Sequence, residues 1–230
     1  MTNHKDFLGK EPVGKLLLKL ALPTVTAQII NMLYNIVDRI YIGHIPKVGA
    51  MALTGVGVCM PLILIVAAFA ALVGNGGAPR ASIFMGKGDT KSAEKTLGNC
   101  FSLQIIISVL LTVVLLIWNR DFLLAFGASE NTIGFARKYL LIISIGAPTI
   151  LFSTAFANIL RGEGAARESM VGNLLGTIIN IVLDPVMILM LGWGVTGAAL
   201  ATIIGNIAAC LFYLQYFLRK KSTLTISLKY

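Results

Sequence analysis

Six stretches of this chain, at residues 15–42, 51–73, 97–118, 139–160, 170–191 and 195–218, are each long and apolar enough to cross a bilayer. A helix needs about 20 apolar residues to span a hydrocarbon core about 30 Å thick. No water is available there to satisfy backbone N–H and C=O groups, so each stretch must close its own hydrogen bonds as a helix. The expected fold is therefore all-α and polytopic, a bundle of six transmembrane helices. Composition agrees: 57% of residues are apolar, only 13% are charged and the mean hydropathy is +0.84, whereas soluble domains run near a quarter charged. The first stretch, opened by the polar residues 1–14, lacks a small-residue cleavage site after a short apolar core. It is too long for a signal peptide and is expected to remain in the mature protein.

The net charge of +9 could suggest nucleic acid. The lysines and arginines fall between the apolar stretches, however, and form no stripe with aromatic residues from which a basic groove could be built. They read as topology determinants. Lys5, Lys10, Lys15 and Lys19 precede the first span, Arg80, Lys87, Lys91 and Lys95 lie between the second and third, Arg161 and Arg167 between the fourth and fifth, and Arg219, Lys220, Lys221 and Lys229 after the sixth. Fourteen of the nineteen basic residues thus lie on one side, against Arg39, Lys47, Arg120, Arg137 and Lys138 on the other. The positive-inside rule then puts both ends of the chain in the cytoplasm, in a multi-pass protein of the cell membrane. Cys59, Cys100 and Cys210 lie within spans at spacings that match neither a zinc site nor a disulfide framework, and His4 and His44 read as solvated surface residues.

Asp38 and Asp184 are the only carboxylates inside the spans. An ionisable group at the centre of a membrane helix costs about 2.5–3.5 kcal/mol on insertion scales, so it is expected to face a cavity and to serve a function. Neither stands alone. Thr24, Gln28, Asn31, Asn35 and Asp38 recur at spacings of four, three, four and three and share one face of the first span; Asn173, Thr177, Asn180 and Asp184 do the same in the fifth. Lipid cannot satisfy these groups, so both stripes must point inward. Asn180 and Asp184 are one turn apart, where their oxygens can converge on a small cation. Thr202 and Asn206 have the same separation in the sixth span. Given the directions of the three spans, all these groups fall toward the outer leaflet. Pro23 and Pro185 share spans with the acids and mark where those helices can bend, as Pro61 and Pro148 do elsewhere.

The run Leu18-Lys-Leu-Ala-Leu-Pro23 with Asn35-Ile-Val-Asp38 and Ile42-Gly43 resembles the first helix of the multidrug and toxic compound extrusion (MATE) transporters. The Gly86-Lys-Gly88-Asp89 and Leu160-Arg-Gly162-Glu-Gly164 loops and Asn180-Ile-Val-Leu-Asp184-Pro185 resemble later signatures of that family, in order and at suitable spacings. Taken together they cover about residues 15 to 218. The resemblance implies an antiporter that couples inward H⁺ or Na⁺ flow to export of small cationic, amphipathic compounds, with no cofactor. It carries the family's amino-terminal-lobe cation site onto Asp38, Asn180, Asp184 and Thr202, the only place where a metal ion (Na⁺) is expected. Cavity-lining positions would be Asn31, Asn35, Asn173, Thr177 and Asn206, with Tyr139 and Asn158 added from the fourth span. Family members have twelve helices in two six-helix lobes, and this chain supplies one. The expected organisation is a cytoplasmic segment at residues 1–14, a six-helix lobe at 15–218 and the start of an inter-lobe linker at 219–230, in a fragment that needs a second lobe, either the carboxyl-terminal half or another copy. Arg39 departs from the family pattern, where a small polar residue is usual. Its cation either acts on Asp38 or reaches the outer interface.

Other classes fit less well. Gly86-Lys-Gly88-Asp89 reads as the G-x-G-D of intramembrane aspartyl proteases, but that chemistry needs two aspartates at membrane depth and Asp89 sits between Lys87 and Lys91. The glycine-rich residues 74–77 lack the Lys-Ser/Thr of a phosphate-binding loop. No enzymatic role is expected. A lipid-linked oligosaccharide flippase of the same superfamily is the nearer alternative, although spans almost free of Lys and Arg favour a cationic or neutral substrate. A non-transporting membrane scaffold is the remaining one.

Overall fold

The structure, a computed structural model, describes residues 12–218. The expected cytoplasmic segment, apart from its last three residues, and the expected linker at 219–230 lie outside the described residues. Chain order is α1 (Val13–Gly43), α2 (Gly49–Gly86), α3 (Thr90–Ile117), α4 (Asn119–Ala125), α5 (Ile133–Gly162), α6 (Ala166–Asp184), a π-helical segment (Pro185–Met190) and α7 (Val195–Leu218). Among the described residues six helices are long and apolar enough to cross a membrane, the fifth being α6 with its π-helical continuation.

Hydropathy marks where a helix leaves lipid, and the helices run on beyond those points. The second span was expected to end at residue 73, yet α2 continues through the glycine-rich stretch to Gly86. Gly74 and Gly77 serve packing there, because a Cβ at Gly74 would strike the Asn158 side chain and one at Gly77 would strike Cys100 Sγ. Small residues let membrane helices approach this closely. Gly88, with φ 76°, then turns the chain. Asp89 caps α3 by accepting from the Ser92 amide at 3.0 Å. Hydrogen bonds from the Ser92 side chain and amide hold this exposed carboxyl below its ordinary range. The acid of the G-x-G-D sequence is a helix cap. The seven-residue α4 has no counterpart in the sequence reading, since so short a segment carries no readable period.

The centre of the bundle is α5, the most enclosed of the six spans, which packs against α2, α3 and α7. Ala52, Cys59 and Leu62 of α2 meet Leu140, Ile143 and Leu151 of α5 in the main core, which also takes in Ile42 of α1. A second cluster, where α5 meets α3 and α7, is aromatic, with Phe101 of α3 and Phe152 and Phe156 of α5 at centroid separations of 5.2 to 6.4 Å. On the opposite flank α1 rests mainly on α6 and is the least enclosed span. Leu22 and Met32, at 68% and 69% exposure, are among its outward-facing residues.

Candidate functional site

Where α6 meets α7 the two backbones nearly touch. A Cβ on Gly176 would lie 2.7 Å from Gly205 O, and one on Gly205 would lie 2.6 Å from Gly176 O. Asn180 is one turn beyond Gly176, and Thr202 is almost one turn before Gly205, so this approach brings them together. A bulky side chain at the crossing must force the helices apart. Gly176→Leu is expected to lower the stability of the folded lobe by about 1–3 kcal/mol and to break the contact between Asn180 and Thr202. Thermal unfolding in detergent checks the first effect, and an unchanged midpoint would contradict the packing argument.

The Asn180 amide fits its space in two orientations. In one its nitrogen donates to Thr202 Oγ1 at 3.2 Å, leaving its oxygen against the Asp184 carboxylate. Turned over, the nitrogen donates to Asp184 Oδ2 at 2.7 Å, while the oxygen accepts from the Tyr34 hydroxyl at 3.1 Å and the Thr202 hydroxyl at 3.2 Å. Only the second gives both ends partners of the right kind, and hydrogen bonding decides such orientations. Tyr34 and Thr202 also lie within 3.3 Å of each other. A chain of polar contacts thus links α1, α6 and α7 to Asp184, which is fully buried.

Asp38 stands on the same side of the bundle. It is 6% exposed, and its Oδ1 has no hydrogen-bond partner. The two aspartates are close enough for their charges to act on each other, and both act on Tyr34 and Tyr139. The Arg39 guanidinium donates to Met60 Sδ of α2 at 3.1 Å, and its charge still acts on the adjacent Asp38. A buried carboxylate oxygen with no donor is costly, and a proton or a small cation would complete it. Immediately after Asp184, Pro185 contributes no N–H and the helix widens into the π form, with the Leu191 amide donating to Val186 O, five residues back, at 2.8 Å. The expected irregularity at Pro185 is therefore a π-helical segment. Pro23 lies inside a continuous α1.

From this cluster a cavity of about 350 Å³ runs toward the other membrane face between α1, α5, α6 and α7. Thr24, Gln28, Asn31 and Asn35 line it from α1, Asn173, Thr177 and Asn180 from α6, and Thr202 and Asn206 from α7. The Thr177 hydroxyl donates to Asn31 Oδ1 at 2.9 Å, and the Ser153 hydroxyl donates to Asn206 Oδ1 at 3.1 Å. The placement differs from expectation in four respects. Asp38 and Asp184 lie behind the end of the cavity nearest Asn180 and Thr202 and do not line it. Tyr139 is buried between α5 and the acids, also off the lining, because the core closes over it. Asn158 points away to Gly74 and accepts from Arg161 Nη2. Finally, the cavity extends beyond the half near the acids to Arg161, Ser169 and Tyr213, so among the described residues one cation stands at its opposite end.

Sequence reasoning missed Tyr34, Ser153 and Arg161 among the lining residues. Tyr34 carried a signal, being three residues after Asn31 and four before Asp38 and hence on the same stripe. Ser153 carried none. Arg161 read as a topology determinant because it follows the apolar stretch.

The MatE family model matches residues 23–186. The multidrug export protein MepA of Staphylococcus saprophyticus is 26% identical over 224 residues, covering 97% of this chain and 49% of that protein. The chain therefore spans about half the length of the curated relatives it matches. Among solved structures, a MATE protein in its straight conformation superposes with a TM-score of 0.87 at 30% identity, over 94% of this chain and 47% of that one. An outward-facing multidrug resistance MATE family transporter of the MOP superfamily superposes with a TM-score of 0.86 at 30% identity, over 94% of this chain and 47% of that one.

Proposed function

Because this chain belongs to the MatE family, we propose that it forms the amino-terminal six-helix lobe of a multidrug antiporter, a transporter and not an enzyme, which exports cationic amphipathic compounds in exchange for H⁺ or Na⁺. One observation carries the reading: Asp38, buried with an unpartnered oxygen, stands where its charge acts on the buried Asp184, behind one end of a polar cavity within the helix bundle. The half-length match to multidrug export proteins supports the two-lobe arrangement.

Asp38, Asn180, Asp184 and Thr202 serve as the cation site. The cation completes the Asp38 carboxylate, and the Asn180 amide orients Asp184. Tyr34 and Thr202 pass the state of that site to the cavity, whose Asn and Thr side chains meet the substrate. Binding shifts the conformational balance only if cation and substrate prefer different states. Pro23 in α1 and the π segment after Pro185 are where the helices bend between those states, as the lobes rock between inward-open and outward-open forms. Both ends of the chain face the cytoplasm, on the basic-residue asymmetry. Among the described residues Arg161 is the one Lys or Arg lining the cavity, with two of its five N–H donors given to Ala157 O and Asn158, where a phosphate would call for several basic residues. This leaves a cationic or neutral substrate favoured over a lipid-linked phosphate.

The test is transport by the complete polypeptide in proteoliposomes, with proton and Na⁺ gradients imposed separately. Efflux of a lipophilic cation such as ethidium should be driven by at least one inward gradient and fall to background without either. Efflux indifferent to both gradients would remove the antiport reading, and no efflux of any cation tested would favour the scaffold.

A further inference from the structure

On the far side of the bundle from the polar cavity, α2 and α3 enclose a second groove of about 480 Å³. Its walls match. Along α2 the lining residues Leu72, Gly76 and Arg80 recur every four positions, and along α3 Lys95, Asn99 and Leu103 do the same. The two helices are consecutive and run in opposite senses, so Arg80 faces Lys95 at one end and Leu72 faces Leu103 at the other. At 1.5 Å per residue each cation is about 12 Å from the leucine of its own helix. The charged end lies only six residues from the end of α2 and five from the start of α3, on the membrane face that bears most of the basic residues. The apolar end is open, with Leu72 at 63% and Leu103 at 46% exposure. No acidic side chain lines the groove among the described residues.

We propose that this groove binds one anionic phospholipid, its phosphate held between Arg80 and Lys95 with Asn99 as a further donor and an acyl chain laid over Gly76 between Leu72 and Leu103. Two cations at headgroup depth, with no carboxylate lining the groove among the described residues, attract an anion, and basic pockets between membrane helices suit anionic headgroups. A free phosphate would use the charged end alone. The apolar continuation, aligned with the lipid chains, selects a lipid. Gly76 is open on its outer side, with no atom within 4 Å of where a Cβ would lie, which leaves space for a chain.

The experiment uses the complete transporter in lipid nanodiscs of phosphatidylcholine containing phosphatidylglycerol. Native mass spectrometry then counts the phosphatidylglycerol retained on release. Each cation near the headgroups is worth roughly fivefold in affinity, so Arg80→Gln with Lys95→Gln should weaken retention ~25-fold, while Arg80→Lys keeps most of it. Gly76→Leu fills the groove without touching the charges or the packing and should also lower retention about tenfold. Melting in pure phosphatidylcholine should be unchanged in all three, which separates loss of the lipid from loss of the fold. Inorganic phosphate in excess should not displace the lipid. Equal retention by wild type and the double variant would overturn the proposal, and that is the result expected if a second lobe covers this face. Displacement by inorganic phosphate, or retention unaffected by Gly76→Leu, would reduce the groove to an anion site and overturn it as well.

Discussion

Replacing Asp38 or Asp184 by Asn in the complete transporter is expected to abolish cation-coupled efflux while leaving membrane expression near normal. The two acids differ in how they are held, and both differences point the same way. Asp38 Oδ1 is buried without a partner, so removing its charge relieves a desolvation cost and does not break a bond. Asp184 accepts from the Asn180 amide, and an Asn at 184 can still accept through its own oxygen. The fold should therefore tolerate either change. A bound cation, by contrast, loses a charged ligand. An interaction of that kind is worth about 1.5–3 kcal/mol, or roughly ten- to a hundredfold in affinity. Efflux under imposed gradients and surface expression are measured on the same cells. Unchanged efflux in both variants would refute the cation-site assignment, whereas collapse of expression would mark the carboxylates as structural.

The second large effect concerns the lobe by itself. In the isolated 230-residue chain the cavity is open along α1, where Gln28 and Asn35 line it and are exposed. Such groups are costly to present to lipid. The curated relatives that match are about twice as long. The purified 230-residue chain is accordingly expected to show no vectorial transport as a monomer, with flux appearing only when a second lobe, the carboxyl-terminal half or another copy, is supplied. Flux in liposomes and the oligomeric state in the same preparation decide the matter. Robust coupled transport by a monomer would overturn the two-lobe mechanism.

Several elements of the site were legible because they rest on local rules. A helix repeats every 3.6 residues, so the spacings of Asn31, Asn35 and Asp38 and of Thr177, Asn180 and Asp184 assign each set to one face before any neighbour is known. The cost of a charge in lipid then turns those faces inward. Tyr34 obeys the same spacing, but an aromatic in a membrane helix needs no polar partner to be there, so spacing alone does not assign it to the site. Arg39 could not be read at all: whether its cation turns to Asp38 or to Met60 depends on where α2 stands.

The chain by itself determined six spans and the polar faces of the two acid-bearing helices, because each follows from the solvent and from contacts within a few residues. Only the tertiary structure decided that Asp38 and Asp184 lie behind the cavity, that Asn180, Tyr34 and Thr202 join Asp184 to it, that Asn158 turns away to Gly74, and that α2 runs on to Gly86. Those outcomes depend on approaches between residues far apart in the chain. Asn31 meets Thr177 across 146 positions, and Asn180 meets Thr202 because Gly176 and Gly205 let two backbones touch. Periodicity states which way a side chain faces; close packing of whole helices states what it finds there.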